Sequence, residues 1–288
     1  TIWGFKSQRI IILIFIMPEI NAFRMDGLGN DFIIIDRRKN EIKLSKEQII
    51  KASDRNNVGF DQMIYIEKEI NNIFPIKIYN SDGNEVDACG NGARCIAYLL
   101  SKEKNTKKIV LKTNNRLLDA NITGDLTVEL KMGKPLFNWN EIPLAKKLDN
   151  KNITININGE QLVEGFCLNV GNPHIIFFVK DCFSYDLKTI GPKIENHEIF
   201  PEKCNVTFAQ INDKNNILVN VWERGAGLTK ACGTAACATA VASYEKKLTE
   251  NNVNIKFKEG ILNIKLDAEQ NIFMTGPVSD IKNIKIEI

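Results

Sequence analysis

The strongest constraint on this chain is that it repeats itself at half its length. Residues 222–244 read W-E-R-G-A-G-L-T-K-A-C-G-T-A-A-C-A-T-A-V-A-S-Y, the form of a strand end, a glycine-rich turn and a small-residue helix beginning near Cys232. Residues 80–100, N-S-D-G-N-E-V-D-A-C-G-N-G-A-R-C-I-A-Y-L-L, have the same form around Cys89. Superposing Ala88-Cys89-Gly90 on Ala231-Cys232-Gly233 gives an offset of 143 in a chain of 288 residues. Phe23 and Phe166 stand 143 apart, and Gly29-Asn30 and Gly171-Asn172 stand 142 apart. Anchors that agree this closely point to a duplicated domain. Each half presents one cysteine at the start of a helix.

The length suits two domains with cores of their own. A hydrophobic share of 44% and a charged share of 25% are ordinary for a globular chain. The formal charge is only +3 and the lysines are scattered, so no nucleic-acid partner is expected. Seven cysteines at irregular spacing are not a disulfide framework, and free thiols suit a reducing cytoplasm. With no C-x-x-C pair and two histidines, no metal site is expected. The other five cysteines read as small buried apolar residues, and His197 as ordinary surface. The apolar run Ile10–Ile16 is too short to span a bilayer and no small-residue cleavage site follows it, so no membrane partner is expected.

Periodicity and punctuation give an α+β fold of two pseudo-symmetric halves, each a barrel-like sheet around a central small-residue helix. Residues 1–16 read as an N-terminal extension outside the fold, with Met17 as the natural start. The N-terminal half covers 17–135, a connection 136–152 and the C-terminal half 153–288, with a last strand free to pack on the N-terminal half. Helices are expected at 45–54, where Ser45 and Gln48 make a capping box, at 90–101, at 185–196 and at 233–247; most of the rest reads as short strands. Helices rich in Ala and Gly on all sides are buried by a surrounding sheet. The cleft between the halves is the expected pocket.

Two helix-start cysteines facing one cleft suit one chemistry. Unpaired N–H groups and the helix dipole favour a thiolate, so both thiols are expected to have lowered pKa values. The same N–H groups, at Gly90-Asn91 and Gly233-Thr234, can hold a carboxylate. One thiolate can then remove a proton from one face of a carbon while the opposite thiol returns one to the other face. No phosphate or dinucleotide motif is present, and no cofactor is expected: Gly27-Leu28-Gly29 lacks the third glycine of G-x-G-x-x-G.

The ordered segments G-L-G-N-D-F (27–32), G-F-D-Q (59–62), N-S-D-G-N-E (80–85), A-C-G-N-G-A-R-C (88–95), G-N-P-H (171–174), N-V-T-F (205–208), E-R-G-A-G (223–227) and A-C-G-T (231–234) resemble those of the diaminopimelate epimerase family. The resemblance covers residues 22–288. It implies a cofactor-independent isomerase that interconverts LL- and meso-diaminopimelate, in lysine and peptidoglycan precursor biosynthesis, and a homodimer. It implies Cys89 and Cys232 as the acid and base, assisted by His174 and Glu223. It implies substrate binding by Asn30, Gln62, Asn80, Asn172, Asn205, Glu223 and Arg224, and by the backbones of Gly90, Asn91, Gly233 and Thr234. Arg224 suits a carboxylate; the amides and Glu223 suit an ammonium. Leu228 and Ala235 depart from the family pattern, which has a glutamate and a glycine there, and bear on fine substrate selectivity.

Two rivals remain on the residues alone. A proline or hydroxyproline racemase of the same architecture needs no polar clamp for a distal amino-acid group. A redox or binding module would use Cys89 and Cys232 as a switchable disulfide, without the surrounding amides.

Overall fold

The structure is a computed structural model that describes residues 19–86, 89–114, 116–157 and 159–287. The expected extension 1–16 and the expected start at Met17 lie outside the described residues. The first half runs β1 (Glu19–Gly27), β2 (Asn30–Asp36), α1 (Lys46–Ser53), β3 (Gln62–Ile66), β4 (Ile73–Asn80), β5 (Glu85–Val86), α2 (Gly90–Lys104), β6 (Lys108–Lys112), β7 (Leu117–Gly124) and β8 (Thr127–Gly133). The second runs β9 (Ile153–Ile157), β10 (Glu160–Asn169), β11 (Pro173–Phe178), α3 (Leu187–Glu195), β12 (Asn205–Asp213), β13 (Asn216–Glu223), β14 (Gly227–Leu228), α4 (Gly233–Glu245), β15 (Asn252–Phe257), β16 (Gly260–Leu266) and β17 (Ile272–Pro277). A final strand, β18 (Lys282–Glu287), follows.

The two halves have one pairing scheme. In the first, β1 and β2 are antiparallel, β2 and β3 parallel, β3 and β4 antiparallel, β4 and β6 parallel, and β6, β7 and β8 antiparallel in succession. In the second, β10 to β13 repeat that alternation, β13 pairs in parallel with β15, and β15, β16 and β17 are antiparallel. The halves are stitched through β8 and β17. β9 lies beside β10; the matching place beside β1 is taken by β18, from the other end of the chain. The sheets therefore exchange partners at two seams, and the repeats are fixed relative to each other by backbone hydrogen bonds.

The central helices are held by burial more than by propensity. α4, with Thr and Ser among its alanines, is buried at every position from Ala235 to Ser243. α2 is buried continuously from Asn91 to Ser101 and ends at Asn105 in the left-handed conformation. Small side chains let β10, β11, β12, β15 and β16 close on α4. Each buried Ile or Phe around them contributes about 1.5–3 kcal/mol, far more than an unfavourable helix residue costs. α1 has the capping box at Ser45 and Gln48 and covers Ile33, Ile35 and Met63. α3 covers the matching outer face, with Val206, Phe208 and Phe177. In the 136–152 stretch, Ile142 and Leu144 are buried in that second-half cluster.

Candidate active site

Duplication places equivalent residues at equivalent strand ends. Asn30 opens β2, Gln62 opens β3 and Asn80 closes β4; Gln62 and Asn80 are direct partners across the ladder. In the second half Asn172 precedes β11, Asn205 opens β12 and Glu223 closes β13. Parallel pairing of β2 with β3, and of β11 with β12, brings the opening residues to one edge. Cys89 and Cys232 are each the extended N-cap residue of a helix, α2 and α4.

The helix starts meet. A Cβ placed on Gly233 would stand 3.8 Å from Cα of Gly90 and 3.0 Å from Sδ of Met274. A Cβ on Gly90 would stand 2.8 Å from Cε of the same methionine. Glycine at both positions lets the two helix N-termini approach each other over Met274. Near the rim, a Cβ on Gly29 would touch the aliphatic parts of Glu259 and Lys230 of the other half.

The thiols sit in related but unequal surroundings. Sγ of Cys89 accepts from the N–H of Gly92 at 3.4 Å and donates to Oδ1 of Asn30 at 3.7 Å. Sγ of Cys232 lies 3.4 Å from Oγ1 of Thr234. Burial pushes the Cys89 thiol up to about 11, against the Gly92 N–H that favours the anion. Burial also pushes Cys232 well above the ordinary thiol value, and the charge of Glu223 adds to it. The expectation of lowered thiol pKa values is thus corrected: desolvation outweighs the helix start. Glu223 is raised too, first by burial, while Thr229 and Cys232 beside it favour its carboxylate.

The amides are tied in pairs. Gln62 donates to Oδ1 of Asn80 at 2.8 Å, which leaves the buried Oε1 of Gln62 with no partner. Asn30 donates to Oδ2 of Asp61 at 3.1 Å. Asn205 donates to the carbonyl of Pro173 at 2.9 Å and accepts from the backbone N–H of Arg224 at 3.0 Å. The exposed Arg224 guanidinium donates to the carbonyl of Glu202. Asn91 turns its side chain inward, where Oδ1 accepts from the buried Arg94 at 2.8 Å.

His174 is fully buried, and Nε2 lies 2.9 Å from Oδ1 of Asn172 and 3.5 Å from Asn205. Burial pulls its pKa down to about 3, with Arg224 adding to the effect, so the ring is neutral. The structure groups it with the amides: its Nε2 faces Asn172 and Asn205. His197 is partly exposed, as expected.

Sequence reasoning missed Asp61 and Arg94. Both lie inside the quoted motifs, and both act on a neighbour. Asp61 holds Asn30 and the N–H of Asp31, inside an ion network where Arg55 and Arg24 overcome burial and hold Asp31 down to about 2. Arg94 was visible as the one charge between Gly90 and Ser101, a residue that burial obliges to find a partner.

Among the described residues no group of three or more His, Cys, Asp or Glu is placed to hold a metal, and no helix is long and apolar enough to cross a membrane.

Comparison with known proteins follows the same lines. The family model described as diaminopimelate epimerase matches residues 22–137 and again 166–281. A diaminopimelate epimerase from Pelagibacter ubique is 54% identical over 273 residues, covering 94% of this chain and all of that one. One from Acidiphilium cryptum is 38% identical over 257 residues, covering 89% and 92%. Among solved structures, a phenazine biosynthesis protein of the PhzF family from Bacillus anthracis overlays with a TM-score of 0.66 at 16% identity, covering 94% of this chain and all of that one. A probable proline racemase from Agrobacterium radiobacter, with bound carbonate, gives 0.66 at 12%, covering 93% of each. At those identities the overlays establish the shared two-half α+β fold. The sequence matches go further: this chain belongs to the diaminopimelate epimerase family of isomerases.

Proposed function

We propose that the protein interconverts LL- and meso-2,6-diaminopimelate by a two-base proton transfer at an α-carbon, using Cys89 and Cys232 and no cofactor. The observation that carries this is the meeting of α2 and α4 at Gly90 and Gly233, which brings two helix-start thiols to one floor beneath the duplicated amides. The 54% identity to a protein named diaminopimelate epimerase supplies the substrate.

In the reaction one sulfur enters as thiolate and takes the α-proton, leaving a carbanion. The other enters as thiol and delivers its proton to the opposite face. Each turnover leaves the two sulfurs with exchanged protonation states, so the next substrate of the opposite configuration, or a proton swap with water, resets them. The unpaired N–H groups at Gly90-Asn91 and Gly233-Thr234 hold the α-carboxylate and stabilise the charge that spreads onto it. Because burial favours neutral thiols, a substrate ammonium is what makes a thiolate affordable here: its positive charge opposes the desolvation. Glu223 receives that ammonium and relays protons to Cys232, which it adjoins.

Asn30, Gln62, Asn80, Asn172 and Asn205 form the polar clamp, with the unpartnered Oε1 of Gln62 ready to accept from an ammonium. Arg224 pairs with a carboxylate. His174 assists as a neutral imidazole behind Asn172 and Asn205. The same reading takes the protein to be a cytoplasmic homodimer in lysine and peptidoglycan precursor biosynthesis.

The test is conversion of LL-diaminopimelate by reduced protein with no added cofactor, followed by chiral chromatography beside L-proline. Formation of the meso isomer with proline untouched supports the reading. Turnover of proline alone would replace it with the racemase that shares the fold.

A further inference from the structure

We infer that Glu195, the last residue of α3, is a positioning residue for the Glu223–Arg224 pair. This rests on the functional reading above. Glu195 is only 5% exposed. Its Oε2 accepts from the indole N–H of Trp222 at 2.7 Å, and its Oε1 accepts from the backbone N–H of Gly225 at 3.0 Å. One carboxylate therefore grips the residue before Glu223 and the residue after Arg224.

The helix is built for the grip. Gly191 and Glu195 are four apart, so they share one face of α3. A Cβ on Gly191 would stand 2.6 Å from Cγ and Cδ2 of Trp222, so the indole lies against bare helix backbone. Gly191 supplies the seat and Glu195 the bond one turn later. The loop is also anchored by the N–H of Arg224 on Oδ1 of Asn205 and by the Arg224 guanidinium on the carbonyl of Glu202. With Trp222 and Gly225 held by Glu195, the segment is fixed on both sides of its two functional side chains.

The charge explains the choice of residue. Lys203 is the cation nearest in its ion pairs, 3.9 Å away and half exposed. A buried carboxylate whose ion pair is this long is kept by strong donors, and an indole N–H plus a backbone N–H are two such donors. A glutamine of the same shape offers one acceptor and one donor, so one of the two N–H groups would face an N–H.

The test is Glu195→Gln. Amide hydrogen exchange at Gly225 and the Trp222 indole resonance in nitrogen-15-labelled protein report the grip without any substrate. Steady-state kinetics report its consequence. Exchange at Gly225 should accelerate and the indole signal shift. kcat/KM for diaminopimelate should fall about tenfold or more, the scale of one charge-assisted hydrogen bond. Because Glu195 acts through Arg224, Glu195→Gln on an Arg224→Lys background should cost much less than it does alone. Unchanged exchange and indole signals would overturn the grip. Altered signals with full kcat/KM would overturn the positioning role. A wild-type protein inert toward diaminopimelate would instead remove the functional reading, and the exchange result would still decide the grip. Should Glu195→Gln fail to fold, Gly191→Ala presses on Trp222 from the same face and must reproduce the exchange and indole changes.

Discussion

Gly90 and Gly233 face each other across the pseudo-symmetric centre: a Cβ on Gly233 would stand 3.8 Å from Cα of Gly90, with Met274 wedged beneath both. Every functional expectation follows from two helix starts converging there. Gly233→Ala should cost about 1–3 kcal/mol through overpacking, and activity should fall with it. Met274→Ala opens space below, so the double variant should lose less stability than the two single losses predict. Thermal or denaturant melts of the four proteins measure this; strict additivity would contradict the shared floor.

Cys89→Ala and Cys232→Ala should each lower epimerisation in both directions at least a hundredfold, the low end for a lost acid or base. Either variant should still eliminate a leaving group from a β-halogenated analogue, because that step needs one base. Normal epimerisation by either would rule out the two-thiol mechanism.

Desolvation makes the alkylation of Cys89 strongly alkaline. With Cys89 pushed up to about 11, its thiolate fraction rises nearly tenfold per pH unit between pH 7 and 10. Iodoacetamide should label it with that slope when no substrate is present. A rate already flat at pH 8 would mean that the helix start, not burial, sets its pKa.

Stability should be greatest between about pH 6.5 and 9. His174 is held down to about 3 from an ordinary 6.5. The unfolded chain therefore takes up this proton first, and stability falls as the pH drops from 6.5 toward 3, at up to about 1.4 kcal/mol per pH unit. On the other side, burial raises Cys89 to about 11 and Cys237 to about 12 from an ordinary 9.0. Unfolding then releases protons, and stability is lost as the pH climbs through that range. Denaturant midpoints across pH show both limbs, and His174→Gln should flatten the acid one. An unchanged acid limb would put the sensitivity elsewhere.

Leu228 is 42% exposed and Ala235 is 1% exposed, and the two departures should behave accordingly. Leu228→Glu should change stability by under about 0.5 kcal/mol, as surface changes do. Ala235→Gly, inside α4, should cost about 1 kcal/mol. A larger stability change at Leu228 would show that its strand β14 matters to the fold.

The duplication was legible because its anchors keep one spacing: Phe23, Gly29-Asn30 and Ala88-Cys89-Gly90 recur at Phe166, Gly171-Asn172 and Ala231-Cys232-Gly233. The capping box at Ser45 and the two buried helices were legible from local chemistry. Other features were not. The two-residue strands β5 and β14 carry no periodicity to detect. The thiol pKa direction depends on how much protein closes over each sulfur, which the helix-start argument leaves out. The grip of Glu195 on Trp222 and Gly225 spans about thirty residues, and nothing near Glu195 in the sequence marks it. The place of His174 beside Asn205 was not legible either, because it is set by the parallel pairing of β11 with β12.

The most direct test of the central claim is deuterium incorporation at the α-carbons of LL-diaminopimelate in heavy water, with reduced protein and no added cofactor. Two bases on opposite faces predict that the meso product carries solvent deuterium from its first appearance, while the remaining LL substrate gains it far more slowly. Equal early labelling of substrate and product would point to one base acting on both faces and would contradict the account.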